Sequence, residues 1–73
     1  MTIYATNERP AYGKQNYTWY EYRLEHGKIV KYKCRRQKIF YGDENVWEQS
    51  ERAVTSWVIG DPEIPEWLER YIP

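Results

Sequence analysis

A chain of 73 residues is long enough for one small domain with a modest core. Its formal net charge is zero, and its single cysteine excludes an internal disulfide or a disulfide-stabilised scaffold. No apolar run approaches the roughly 20 residues that cross a bilayer, and the first ten residues lack the apolar core of a signal peptide. We therefore expect a single cytoplasmic domain that has no membrane partner.

The zero net charge is the sum of two oppositely charged halves. Residues 1–38 contain nine cations and three acids, a balance of +6, whereas residues 39–73 contain two cations and eight acids, a balance of −6. Two arrangements follow from this asymmetry. Either the halves fold against each other and neutralise, or the basic half binds a polyanion.

The N-terminal segment, residues 1–16, contains little periodicity and is expected to be partly irregular. Within it, residues 2–6 are rich in strand-forming types and predict a short edge strand. The folded domain is expected to occupy residues 17–73.

Residues 17–24 and 28–36 predict the two strands of a β-hairpin. Two loops compete. A two-residue loop, His26 and Gly27, pairs Arg23 with Val30 and mixes charged with apolar residues on both faces. A three-residue loop over residues 25–27, with Gly27 in the left-handed conformation, pairs Tyr22 with Val30 instead.

The three-residue loop sorts the side chains into one apolar and one charged face. It places Tyr20 opposite Tyr32 and Thr18 opposite Cys34 on the apolar face. The charged face then pairs Glu21 with Lys31, Trp19 with Lys33, and Tyr17 with Arg35. Because burial of one face selects register strongly, we predict the three-residue loop.

Residues 37–41 either extend the second strand or turn back as a third. Beyond them, residues 45–58 predict an amphipathic helix, with Asp43 or Asn45 as its N-cap and Gly60 as its end. Residues 65–72 predict a short final helix that begins at Pro65. Its apolar residues would face the core: Trp67, Leu68, Tyr71 and Ile72.

The predicted fold class is α+β: a small antiparallel β-hairpin or sheet packed against an amphipathic helix, followed by a short C-terminal helix. The core would join two sets of side chains. The sheet contributes Tyr20, Tyr22, Val30 and Tyr32, and the helix contributes Val46, Trp47, Val54 and Trp57.

The chain lacks the residue patterns of the common catalytic and cofactor sites. Structural zinc takes four ligands, usually Cys and His, and the sequence has one of each. Its four glycines are scattered and form no phosphate-binding loop. We predict Cys34 on the apolar face and His26 at the hairpin tip, too far apart for nucleophilic catalysis. The prediction is a non-enzyme without metal or cofactor.

The strongest binding signal is the stretch 28–38, which contains six cations and no acid. Cations neutralise phosphates, and exposed aromatic rings stack on unpaired bases. The candidate binding residues are therefore Tyr17, Trp19, Lys31, Lys33, Arg35, Arg36 and Lys38. The favoured function is a non-catalytic binding or adaptor module that contacts an unidentified protein. The alternative is a nucleic-acid-binding module that uses the basic aromatic face of the hairpin and binds single-stranded rather than duplex nucleic acid. The partners that the prediction leaves open also include a second copy of the chain, in a homo-oligomer.

Overall fold

The chain folds into one antiparallel sheet with a short C-terminal helix. The computed structural model describes residues 1–10, 16–42 and 44–73. The elements are β1 (Thr2–Ala5), β2 (Arg9–Pro10), β3 (Asn16–Glu25), β4 (Lys28–Tyr41), β5 (Glu44–Val58) and α1 (Glu66–Glu69). Strands β1 and β2 both pair with β3, and β4 and β5 follow across the sheet.

The predicted amphipathic helix over residues 45–58 is wrong, and with it the α+β fold class. These residues form β5, which pairs with β4 along its whole length, from Glu44 opposite Tyr41 to Val58 opposite Lys28. The segment is rich in β-branched and aromatic residues, which favour a pleated strand when a long neighbour is present. Asn45 therefore lies within a strand, and Asp43 is outside the described residues.

Three other predicted elements agree with the structure wholly or in part. The predicted edge strand at residues 2–6 is confirmed as β1. Residues 37–41 extend the second strand rather than forming a third. The final helix forms, but it is shorter than predicted, because α1 covers only Glu66–Glu69 and begins after Pro65.

The predicted three-residue hairpin loop is also wrong. Glu25 pairs directly with Lys28 and Arg23 with Val30, so His26 and Gly27 form a two-residue loop. Both loop residues have positive φ, 49° at His26 and 76° at Gly27. That combination characterises the type I′ turn, whose twist matches the twist of the strands that it joins.

Alternation along β3 and β4 separates two faces of the sheet. The Tyr22 face contains the even-numbered residues of β3 and the odd-numbered residues of β4. The Arg23 face contains the complementary sets. Each face therefore mixes apolar and charged residues, as the two-residue loop requires.

The core lies at one end of the Tyr22 face. There Tyr22 and Ile29 pack against Ile64 and Leu68, which belong to the C-terminal segment, residues 59–73. The predicted core is only partly correct. Among the predicted helix residues, Trp57 packs beside this cluster, but Trp47 and Val54 are 46% and 48% exposed. Of the predicted sheet residues, Tyr20 also packs there, whereas Val30 and Tyr32 lie on the Arg23 face.

The molecule is elongated because the β4–β5 hairpin extends beyond β3. Its radius of gyration is 15.1 Å, against about 11 Å for a compact chain of this length. Pairing between β3 and β4 ends at Asn16 and Gln37, and β4 and β5 continue to Tyr41 and Glu44. The C-terminal segment therefore covers one end of the sheet, and the hairpin projects from the other.

Candidate functional surfaces

The seven predicted binding residues do not form one surface, because the observed register divides them between the two faces. Three lie on the Tyr22 face: Lys31, Lys33 and Arg35. The other four lie on the Arg23 face: Tyr17, Trp19, Arg36 and Lys38. The expected cross-strand contact of Trp19 with Lys33 is absent from the register, since Trp19 pairs with Cys34. The structure therefore offers two smaller groups of candidates.

A charged network occupies the middle of the Arg23 face. Trp19 donates its indole N–H to the carboxylate of Glu21 at 2.7 Å, and Arg23 donates to the same carboxylate at 3.1 Å. These bonds hold the pKa of Glu21 below its usual value, the bond from Trp19 contributing most. Trp19 is half-buried and serves this network, so it is poorly placed to stack on an incoming base.

A cluster of two aromatic rings and a guanidinium lies further along the same face. The guanidinium of Arg36 is 5.1 Å from the ring centre of Tyr17 and 4.7 Å from that of Trp47. The two rings are themselves 6.0 Å apart. Arg36 also forms an ion pair with Glu8 at 3.0 Å. Because the cation is already paired with a carboxylate and two rings, this cluster is best explained as a packing feature.

A basic depression opens on the Tyr22 face, beyond the end covered by the C-terminal segment. Cationic side chains from two strands line it: Lys33, Arg35 and Arg52. Asn16, Thr18 and Ser50 add polar groups around them, and Glu51, which forms an ion pair with Arg23, completes the lining. In the described part of the chain, none of the three cations forms an ion pair. Unpaired cations beside hydrogen-bonding groups suit a phosphate or another anion.

The residues with catalytic or metal-binding potential are dispersed. Cys34 is fully buried, and desolvation together with the nearby carboxylate of Glu21 raises the pKa of its thiol to about 11. A thiol of this kind is a poor nucleophile at neutral pH. Within residues 1–10, 16–42 and 44–73, no three His, Cys, Asp or Glu side chains group as metal ligands.

The long outer edge of β5 is the largest uncovered feature of the sheet. Its 15 residues are exposed on both faces except for Trp57, and among the described strands β5 pairs only with β4. Val46, Trp47 and Val54 are each at least 39% exposed along it. An uncovered edge of this length presents a row of unpaired backbone groups that can accept another strand.

The direction of the backbone groups on β5 follows from the turns. Glu25 and Lys28 close a two-residue turn and so exchange hydrogen bonds with each other. The odd-numbered residues of β4 must then bond to β5, consistent with the 3.2 Å bond from the Ile59 N–H to the Gly27 carbonyl. From Lys33 to Tyr41, their partners on β5 are the even-numbered residues from 52 to 44. The odd-numbered residues of this range therefore direct their N–H and C=O groups outward.

Sequence reasoning missed the residues that β5 contributes to these surfaces. Arg52 and Ser50 join the basic depression, and Trp47 joins the Arg36 cluster. The prediction of a helix placed Trp47 in the core and named no residue of this segment as a binding residue. The signal that could have located them is the continuous strand propensity on both sides of Gly42, which indicates one long hairpin.

Comparisons with protein-family models, with curated proteins and with solved structures gave no match to this chain. Within the described residues, no helix has the length and apolar character needed to span a membrane.

Proposed function

We propose that this chain is a small non-catalytic binding module that acts through protein contacts, and that a partner strand adds to the outer edge of β5. The observation that carries the proposal is the open edge of a 15-residue strand whose residues are nearly all exposed. Strand addition uses backbone hydrogen bonds for affinity and alternate side chains for specificity.

The side chains along β5 support the same proposal. A soluble domain usually protects a sheet edge with proline, inward-pointing charges or a covering element. β5 contains no proline, and its register shift near Val54 leaves residues 44–53 in regular pairing with β4. Exposed Val46 and Trp47 add apolar area beside the open backbone groups, and aromatic residues are enriched at protein interfaces.

The test removes one outward backbone donor. Gln49→Pro deletes an N–H that points away from β4, and proline is tolerated at such edge positions. The matched control, Gln49→Ala, changes the side chain but keeps the N–H. Partners captured from nuclease-treated native lysate, quantified by mass spectrometry, should be retained by Gln49→Ala and lost with Gln49→Pro. Equal capture by both variants, at equal thermal stability, would contradict the proposal.

The basic depression favours a second candidate function, binding of single-stranded nucleic acid. Lys33, Arg35 and Arg52 lie together on an open face without ion-pair partners among the described residues. Affinity for an oligonucleotide should then fall with salt, with a log–log slope of about −0.7 per phosphate contacted. Lys33→Ala should weaken binding and flatten that slope. The control Lys28→Ala removes a cation at the hairpin end and should leave both unchanged.

A further inference from the structure

The β5 edge can accept a strand from a second copy of the same chain, an inference that rests on the proposed function. An antiparallel strand added to β5 must bring residues of the same face opposite each other. If the added strand is β5 of a second chain, a two-fold axis relates the strands and every off-axis contact occurs twice. The sequence of β5 can therefore be tested for complementarity with itself.

The sequence of β5 matches itself best when the two-fold axis passes through Ser50. In that register Glu48 lies opposite the partner's Arg52, and the symmetric pair repeats the attraction. Val46 lies opposite the partner's Val54, where β5 has its register shift, so the regular part of this pairing runs from residue 47 to residue 53. Opposite charges across strands stabilise antiparallel pairing.

Neighbouring registers are less favourable for electrostatic reasons. An axis through Glu48, Glu51 or Arg52 places two like charges directly opposite each other. An axis through Gln49 places Val46 opposite the partner's Arg52 and forms no ion pair. Like charges at directly opposed positions are destabilising, so among these neighbouring registers charge favours the one centred on Ser50.

The backbone geometry agrees with this register. The outward-directed groups belong to odd-numbered residues, so Gln49 and the partner's Glu51 exchange hydrogen bonds. Ser50 and its symmetry mate then form a non-hydrogen-bonded pair, in which Cα atoms approach to about 4.5 Å. We propose that a second copy of this chain binds antiparallel along β5, with the two Ser50 residues facing each other, to form one continuous sheet of ten strands.

Disulfide trapping tests the register directly. Ser50→Cys places two thiols at the axis, within the Cα range of about 4.4–6.8 Å that a disulfide accepts. The matched control Ser56→Cys changes the same residue type on the same strand, but places the thiols about 40 Å apart in this register. After mild oxidation and quenching with N-ethylmaleimide, Ser50→Cys should run as a covalent dimer. Ser56→Cys and the native chain, whose Cys34 is buried, should not.

Charge reversal tests the pairing without a covalent bond. Glu48→Arg and Arg52→Glu each convert both symmetric ion pairs into like-charge pairs, so each should raise the dimer dissociation constant by about tenfold. The double variant restores opposite charges in exchanged positions and should recover the native constant. Sedimentation equilibrium provides the measurement, because the dimer has twice the 9.0 kDa mass of one chain.

The outcomes separate this inference from the proposed function. A native chain that stays monomeric at submillimolar concentration overturns self-pairing, as does equal cross-linking of both cysteine variants or failure of the double variant to recover. The capture experiment with Gln49→Pro then still decides whether the edge binds a different protein. If the chain dimerises and Gln49→Pro abolishes the dimer, both proposals are supported together.

Discussion

Arg23 on β3 forms an ion pair with Glu51 on β5, although β4 lies between the two strands. Its guanidinium crosses β4 at 4.4 Å from the ring centre of Tyr32 and also bonds Glu21 on its own strand at 3.1 Å. One side chain thus ties three strands together on a face that the C-terminal segment does not cover. The guanidinium suits this position because its planar fork can serve two carboxylates and stack on a ring.

Removal of the Arg23 guanidinium should destabilise the sheet. Arg23→Ala leaves two carboxylates without their cation and uncovers Tyr32, so we expect the free energy of unfolding to fall by about 1–3 kcal/mol. Arg23→Lys keeps the charge but loses the fork, and should cost less than the alanine change. Urea denaturation of the three proteins at neutral pH provides the comparison. Equal stability of Arg23→Ala and the native chain would refute the bridging role.

Acid should weaken the same network. Hydrogen bonds from Trp19 and Arg23 lower the pKa of Glu21 below its usual value of 4.5, and Arg23 lowers that of Glu51. When the pKa of a carboxyl group is lower in the folded than in the unfolded state, its ionised form stabilises the fold. This contribution is complete above the unfolded pKa and is lost as the pH falls through the folded pKa. The free energy of unfolding should therefore drop as the pH falls below about 4.5. Glu21→Gln should be less stable at pH 7 and show a shallower acid decline. An equally steep decline would contradict this assignment.

The failure to predict β5 has a physical cause. A strand shows alternating hydrophobicity when one face is buried, but β5 is exposed on both faces over most of its length. Its apolar residues were therefore free to fall at spacings that resemble a helix. Strand propensity on both sides of Gly42 is a local signal for β5, but its conformation is determined by its pairing with β4, which includes the contact of Arg36 with Trp47.

The hairpin register failed for a related reason. The prediction assumed that one face must be wholly apolar, so it rejected the register that puts Arg23 opposite Val30. In the structure, Arg23 and Glu21 neutralise each other on one face, and Tyr22 and Ile29 meet the C-terminal segment on the other. Strands β3 and β4 and the edge strand β1 were predictable from local propensity. The division of the binding residues between faces was not, because it depends on this register.

The revised core makes a contrasting prediction for two residues. Leu68 is fully buried, so Leu68→Ala should cost about 2–5 kcal/mol, which is a large part of the stability of so small a domain. Trp47 is 46% exposed, so Trp47→Ala should cost less than about 1 kcal/mol. Thermal and urea unfolding measure both changes. A Trp47→Ala cost that matched the Leu68→Ala cost would mean that residues 44–58 pack over the core.

The turn at His26 and Gly27 makes the stability of the fold sensitive to the residue at position 26. His26 has a φ of 49°, a left-handed conformation that asparagine adopts more readily than most residues and that β-branched residues avoid. Asn-Gly is the preferred sequence of a type I′ turn. We therefore expect His26→Asn to raise the free energy of unfolding by roughly 0.5 kcal/mol, and His26→Val to lower it by about 1 kcal/mol or more.

The contrast between these two variants distinguishes the turn types. In a three-residue loop the left-handed position falls on Gly27 alone, and His26 would have an ordinary negative φ. Asparagine would then give no gain at position 26, and valine would cost little. Urea denaturation of the native chain and both variants measures the difference. If asparagine and valine had the same effect at position 26, the two-residue turn and the register that follows from it would be wrong.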